Sequence, residues 1–175
     1  MAIEEKTDQA LVADCLAGKQ SAFSELVRRH QDSVFGLAVS MTRNREDAAD
    51  MAQDAFIRAY NKLEQYNPKY SFRSWVLSIC ANLTKNLFRK RMNRRRAEER
   101  HLVQDEIEQD TVSPDSQVVE DALNRLPPKL GAPIRLKYIE GLSYDEIAEV
   151  LKIGVSAAKM RVLRAKEQLV EIMTP

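Results

Sequence analysis

The stretch GLSYDEIAEVLKIGVSAAKMRVLRAK, Gly141 to Lys166, decides the fold. Ser143 followed by Glu146 is a capping-box pattern: the serine oxygen accepts from the Glu146 amide while the glutamate reaches back to the serine amide. A helix therefore opens there, with Ile147, Ala148 and Leu151 facing inward. Lys152 to Gly154 make a turn. A second helix then buries Val155, Ala158, Val162, Ala165 and Leu169 and shows Ala157, Lys159, Met160, Arg161, Arg164 and Gln168. Two short helices around a tight turn read as a helix-turn-helix, which places such a face in the DNA major groove, where cations meet phosphates and a few side chains reach base edges. A solvated helical hairpin has the same pattern, so the remainder of the chain arbitrates.

That remainder is helical throughout. Of 175 residues, 44% are hydrophobic and 30% charged, enough apolar material for one moderate core or two small ones. Glycine and proline are scarce and alternating strand-like runs nearly absent, so the composition favours an all-α chain. No apolar run approaches the roughly 20 residues that span a bilayer, and Met1 to Ala10 is too polar for a signal peptide, which predicts a soluble cytoplasmic protein. Cys15 and Cys80 lie far apart on apolar stripes and read as reduced core residues rather than a disulfide pair.

Helical periodicity starts near Asp8 and runs through Leu11, Val12 and Leu16 to Gly18. A second helix from Ser21 carries Phe23, Leu26, Val34, Leu37 and Met41 on one face. Asn44 is a good N-cap, with Asp47 at the positive end of the dipole of a third helix through Ala48, Ala52, Phe56 and Ala59. Asn67 and Pro68 break the pattern, and Tyr66 to Phe72, YNPKYSF, is a loop by composition. A fourth helix follows from Arg73 through Trp75, Ile79, Leu83 and Leu87.

The net charge of +1 hides a strong polarity along the chain. Lys85 to Arg96 holds seven cations and no acid, and the sign then reverses through Glu98, Glu99, Asp105, Glu106, Glu108, Asp110 and Asp115. Few apolar residues accompany those acids, so 98–116 reads as a flexible acidic linker between a helical domain at 1–97 and another at 117–175. The last unit has core candidates Val118, Leu123, Leu126, Ile134, Leu136, Ile139, Ile147, Val150 and Leu151. Across the linker, Tyr60, Tyr66, Tyr70, Phe72 and Trp75 cluster beside Lys62, Lys69 and Arg73. Aromatics interleaved with cations suit single-stranded DNA, because bases stack while phosphates are neutralised. Phe72 and Trp75 also read as core.

These residues resemble a known family. EDAADMAQDAFIRAYNKLEQYNPKYSFRSWVLSICANLTKNLFRKR resembles region two of bacterial RNA polymerase sigma factors of the extracytoplasmic-function (ECF) class. LNRLPPKLGAPIRLKYIEGLSYDEIAEVLKI, with the basic helix after it, resembles their region four. The likeness covers nearly the whole chain, in the family's order. It implies two small helical domains and a non-catalytic subunit that directs promoter recognition and DNA melting, with no cofactor and with core polymerase (clamp coiled coil and flap), promoter DNA and an anti-sigma factor as partners. A role in stress response is implied in the same way.

The resemblance also implies residues. Asp47, Asp50, Met51, Gln53, Asp54 and Ile57 would face the polymerase clamp. The loop Tyr66, Asn67, Lys69, Tyr70, Ser71 and Phe72 would capture a flipped base of the −10 element, with Arg73, Trp75, Lys85, Asn86 and Arg89 on the adjoining strand-separating surface. Flipping costs a few kcal/mol, which a shaped pocket and stacking offset without catalysis. Lys137, Tyr144, Ala157, Lys159, Met160, Arg161, Leu163 and Arg164 would meet the −35 element.

One departure bears on recognition. Where the family pattern is like VGTVKSR, this chain has VSAAKMR at Val155 to Arg161, which predicts altered or weakened −35 recognition on an intact fold. Gly131, inside a helix, is expected to cost about 1 kcal/mol relative to alanine. A free-standing helix-turn-helix regulator is the alternative, though it has no need of the YNPKYSF loop. Catalysis is disfavoured: His30 and His101 lie near no nucleophile or ligand set, and no glycine-rich phosphate loop or metal-spaced cysteine pair occurs.

Overall fold

The computed structural model describes residues 6–98 and 117–174. Most of the expected acidic linker and His101 lie outside them, as do the side chains of Gln117 and Val118. Eight α-helices and no strand occur among the described residues: α1 (Asp8–Leu16), α2 (Gln20–Thr42), α3 (Arg45–Asn61), α4 (Phe72–Glu98), α5 (Gln117–Arg125), α6 (Pro128–Tyr138), α7 (Tyr144–Leu151) and α8 (Val155–Met173). The all-α expectation holds.

Local chemistry sets most boundaries. Thr7 Oγ1 accepts from the Ala10 amide at 3.2 Å and starts α1. The Asn44 side chain accepts from the Asp47 amide at 2.8 Å and starts α3. The capping box at Ser143 is complete, with bonds of 2.8 and 3.2 Å in the two directions. Such caps contribute on the order of 1 kcal/mol each by satisfying amides that have no partner within the helix. Pro128 takes the first turn of α6, where its missing N–H costs nothing. Basic residues do not stop α4, which continues through the cationic run to Glu98.

Leu26, Val34 and Leu37 of α2, the alanines 48, 55 and 59 of α3, and Phe72, Val76 and Leu77 of α4 are buried together. Alanine at the α3 positions lets the helix axes approach closely, so the first half packs as a bundle of short contacts. Leu123, Leu126, Ile134 and Ala165 form a small separate cluster in the second half. The main cluster does not stop at the first half: Ala132 and Leu136 of α6, Ile147, Val150 and Leu151 of α7 and Ala158 of α8 belong to it. The two halves share a core, with α6 laid on α2 and α7 on α4.

One core expectation fails. Ile139 is 49% exposed, because α6 ends at Tyr138 and the helical period no longer governs the next residue. Its neighbour Glu140 is buried instead.

Candidate nucleic-acid interface

The loop between α3 and α4 is held by hydrogen bonds of its own. The Asn67 side chain accepts from the Lys69 amide at 3.0 Å, and the Tyr70 amide donates to the Asn67 carbonyl at 3.1 Å, closing a tight Asx-type turn. The Tyr66 hydroxyl donates to the Tyr70 carbonyl at 2.6 Å. Gln9 of α1 adds a bond from its amide to the Pro68 carbonyl at 3.0 Å. Beneath the loop, the Tyr66, Phe72 and Trp75 rings pack edge-on or tilted with centroids 5.3 to 5.9 Å apart. Phe72 is 1% exposed and serves as the floor of the loop rather than a stacking face, whereas Tyr70 is 40% exposed. Asn67, Lys69 and Ser71 are exposed beside it. Tyr66 and Trp75 are half-buried, so their ring edges border the same surface.

The first turns of α4 continue that surface, and the second half covers part of it. Arg73 Nη1 donates to the Glu140 carbonyl at 3.0 Å and lies 3.6 Å from its carboxylate. Lys85 donates to the Leu151 carbonyl at the end of α7. Burial, with the nearby Arg161 and Lys152 cations, lowers the Lys85 ammonium from its ordinary value. Asn86 accepts from Arg89 at 3.0 Å one turn further on.

On α3, Asp50, Gln53, Asp54 and Ile57 are exposed on the outer side and Met51 is half-buried. Asp47 is not free: Arg91 of α4 grips it bidentately at 2.6 and 2.7 Å. Gln53 and Ile57 also border an apolar groove of about 670 Å³ between α2 and α3, floored by Phe23, Phe35 and Phe56.

In the second half, α7 and α8 form the helix-turn-helix, with Lys152 at φ 48° making the turn. Ala158, Val162 and Ala165 point inward, and Lys159, Met160, Leu163 and Arg164 are exposed, with Ala157 and Arg161 half-buried at the edge. The Tyr144 ring lies under two cations, Lys137 at 4.7 Å and Lys159 at 5.8 Å. Lys137 also donates to the Leu142 carbonyl at 3.2 Å. These contacts gather residues from α6, α7 and α8 into one cationic face. Sequence reasoning missed Lys166, which sits 4.7 Å over the Tyr138 ring and extends that face. It missed Gln9 too, whose contact with the loop spans 59 residues. No local pattern marks either one. Among the described residues no group of acids, histidines and cysteines could hold a metal, and no helix is long and apolar enough to cross a membrane.

Two family models match the chain. The Sigma-70 region 2 family model matches residues 26–94, and the Sigma-70 region 4 model matches 116–169. The ECF RNA polymerase sigma-E factor of Haemophilus influenzae is 32% identical, with 98% of each chain covered. The Bacillus subtilis ECF RNA polymerase sigma factor SigW is 34% identical over 87% of this chain and 89% of its own. Among solved structures, CnrH in complex with the cytosolic domain of CnrY superposes with a TM-score of 0.67 at 29% identity, over 96% of this chain and 97% of that one. The sigma factor RpoE in complex with the anti-sigma factor NepR from Bartonella quintana shares the fold, with a TM-score of 0.71 at 23% identity over 86% and 96% of the two chains.

Proposed function

The chain belongs to the extracytoplasmic-function class of RNA polymerase sigma factors, and from that membership we propose how its residues direct initiation. A sigma factor brings core polymerase to a promoter and opens the DNA there. In this chain the 1–97 domain docks on the polymerase clamp through Asp50, Met51, Gln53, Asp54 and Ile57, with Asp47 held in register by Arg91. The pre-built loop from Asn67 to Ser71 takes a base flipped out of the −10 element, and the exposed Tyr70 ring stacks on it or its neighbour. Arg73, Lys85 and Arg89 neutralise the phosphates of the separated strand. The protein catalyses nothing itself, because unpairing needs only a binding surface that favours the open strand.

The 117–175 domain reads the −35 element with α8. Lys159 and Arg164 position the helix on phosphates, and Met160 and Leu163 meet base edges through apolar contact. With Ala157 and Met160 where hydroxyl side chains are common in the family, fewer polar groups reach the major groove, and −35 preference is altered. The acidic linker at 98–116 connects the two domains. CnrH was solved with the cytosolic domain of CnrY on it, and an anti-sigma factor of comparable role controls this chain.

The observation that carries this reading is the −10 loop: a preformed turn with one exposed aromatic, standing on a cationic helix, joined in one chain to a helix-turn-helix. Selection of bound fragments from a randomised duplex library tests it. With core polymerase added, two short blocks at a fixed spacing are expected to emerge. A single block selected equally well without polymerase contradicts it and favours a free-standing regulator.

A further inference from the structure

Helix α1 precedes the segment matched as region 2, which begins at residue 26, yet its first turn reaches the −10 loop by two routes. Thr7 caps the helix, so Asp8 and Gln9 sit in that turn. Neighbours on an α-helix point about 100° apart, which lets the two side chains address different elements. The Gln9 amide donates to the Pro68 carbonyl at 3.0 Å. The bonds within the loop use the Asn67 and Tyr70 oxygens, so the bond to Pro68 is a separate tie from the loop to α1.

Asp8 takes the other route. Its Oδ2 lies 2.7 Å from Nε2 of His30 on α2, and its Oδ1 lies 3.2 Å from Arg29 Nη1. An ionised carboxylate only accepts, so Nε2 carries the proton of that bond and the ring is fixed in one orientation. His30 is 7% exposed, and its ring is tilted against Phe72 with centroids 5.5 Å apart, beneath the loop. Phe23 packs edge-on against Phe72 at 6.5 Å. Burial, and after it the Asp8 charge, raises the Tyr66 hydroxyl above its ordinary value, so Asp8 is also felt at the ring that fixes the Tyr70 carbonyl. The first turn of α1 thus meets the loop at its side, through Gln9, and at its floor, through His30 and Phe72.

We infer that Gln9 and His30, the latter held by Asp8, are positioning residues that keep the −10 loop in the geometry that takes the flipped base. This rests on the assignment of the loop to the −10 element. None of the three touches the base; they act through Pro68 and Phe72. A loop already held in its bound geometry binds more tightly because its ordering is not charged to the binding step. One that is competent about one-fifth of the time binds about fivefold more weakly than one that is always competent. A single hydrogen bond of ordinary net strength shifts an equilibrium by about that much.

Gln9→Met, Asp8→Ala and Asp8→Asn, each assembled with core polymerase, test the inference. The probes are a single-stranded oligonucleotide carrying the −10 block selected by wild-type holoenzyme, and copies of it with one abasic site at each position in turn. Wild type is expected to lose most affinity at one position, that of the captured base. Gln9→Met removes the donor at nearly constant length and is expected to shrink the ratio of intact to abasic affinity about fivefold, with binding of the abasic copy unchanged. Asp8→Ala is expected to do the same. Asp8→Asn keeps an oxygen that accepts from His30 and is expected to stay within about twofold of wild type. Gln9 is exposed, so its variant keeps the test decisive where Asp8→Ala disturbs folding. An unchanged ratio in Gln9→Met, or equal losses on the intact and abasic probes, overturns the positioning role while base capture stands. A wild-type holoenzyme indifferent to every abasic site overturns base capture itself, and the positioning role with it.

Discussion

The Tyr66 hydroxyl donates to the Tyr70 carbonyl at 2.6 Å, so the residue that opens the −10 loop fixes the backbone of the aromatic that projects from it. Removing that bond leaves the ring packing of Tyr66 against Phe72 and Trp75 in place but frees the loop. Tyr66→Phe is expected to weaken capture of a single-stranded −10 oligonucleotide by the holoenzyme by about 1 kcal/mol, roughly fivefold. Binding to a duplex −35 fragment should be unchanged. Equal losses on both probes would place the bond outside the loop's function.

The two glycines buried at the α2–α6 junction have opposite expectations. A Cβ on Gly131 would meet the Leu123 carbonyl at 3.4 Å and the Ser40 carbonyl at 3.6 Å, which is ordinary contact, whereas one on Gly36 collides with Arg135. Gly131→Ala should therefore raise stability by about 0.4 to 1 kcal/mol, through lower unfolded-state entropy and better helix propensity. Urea denaturation measures it. A loss of stability would mean that α6 sits closer to α2 than described.

Recognition of the −35 element can be returned toward the family pattern at two positions outside the buried core. Ala157 is half-buried and Met160 is 49% exposed, but Ala158 is fully buried, so Ala158→Val would overpack and confuse the result. The double variant A157T/M160S is expected to change base preference within the −35 block by about 1 to 3 kcal/mol at one or two positions. Library selection with holoenzyme reads this, and identical preferences would remove the claim that these residues alter recognition.

Acid should weaken the first half in a defined window. Hydrogen bonds from Arg28 and Arg29 hold the Glu25 carboxyl down at about 2, below the ordinary 4.5. A depressed carboxylate contributes stability that is present in full above the unfolded value and lost as pH falls through the folded one. Glu25→Gln is thus expected to lower the thermal midpoint at pH 7 and to show a shrinking difference from wild type between 4.5 and about 2. A difference independent of pH would assign the effect to shape rather than charge.

What was legible in the sequence follows the range of the forces involved. The caps at Asn44 and Ser143 act over three residues and were readable. So was the helix-turn-helix, whose inward set of Ala158, Val162 and Ala165 repeats at helical spacing. Arg135 was invisible as a buried residue, because an arginine in a helical pattern reads as solvated and its Gly36 seat lies 99 positions away, 135 less 36. Ile139 departs from the helical pattern because α6 ends at Tyr138 and its period does not extend to the next residue. Gln9 and Lys166 act across long separations that no local pattern records.

The most direct test of the whole account is runoff transcription by purified bacterial core polymerase on a pool of promoter fragments, with and without this chain. The expected result is chain-dependent transcripts from a defined subset sharing one −10 and one −35 block, abolished when Tyr70, Arg73 and Lys85 are replaced together by alanine. Transcripts unaffected by that triple replacement, or no chain-dependent transcript from any fragment, would contradict it.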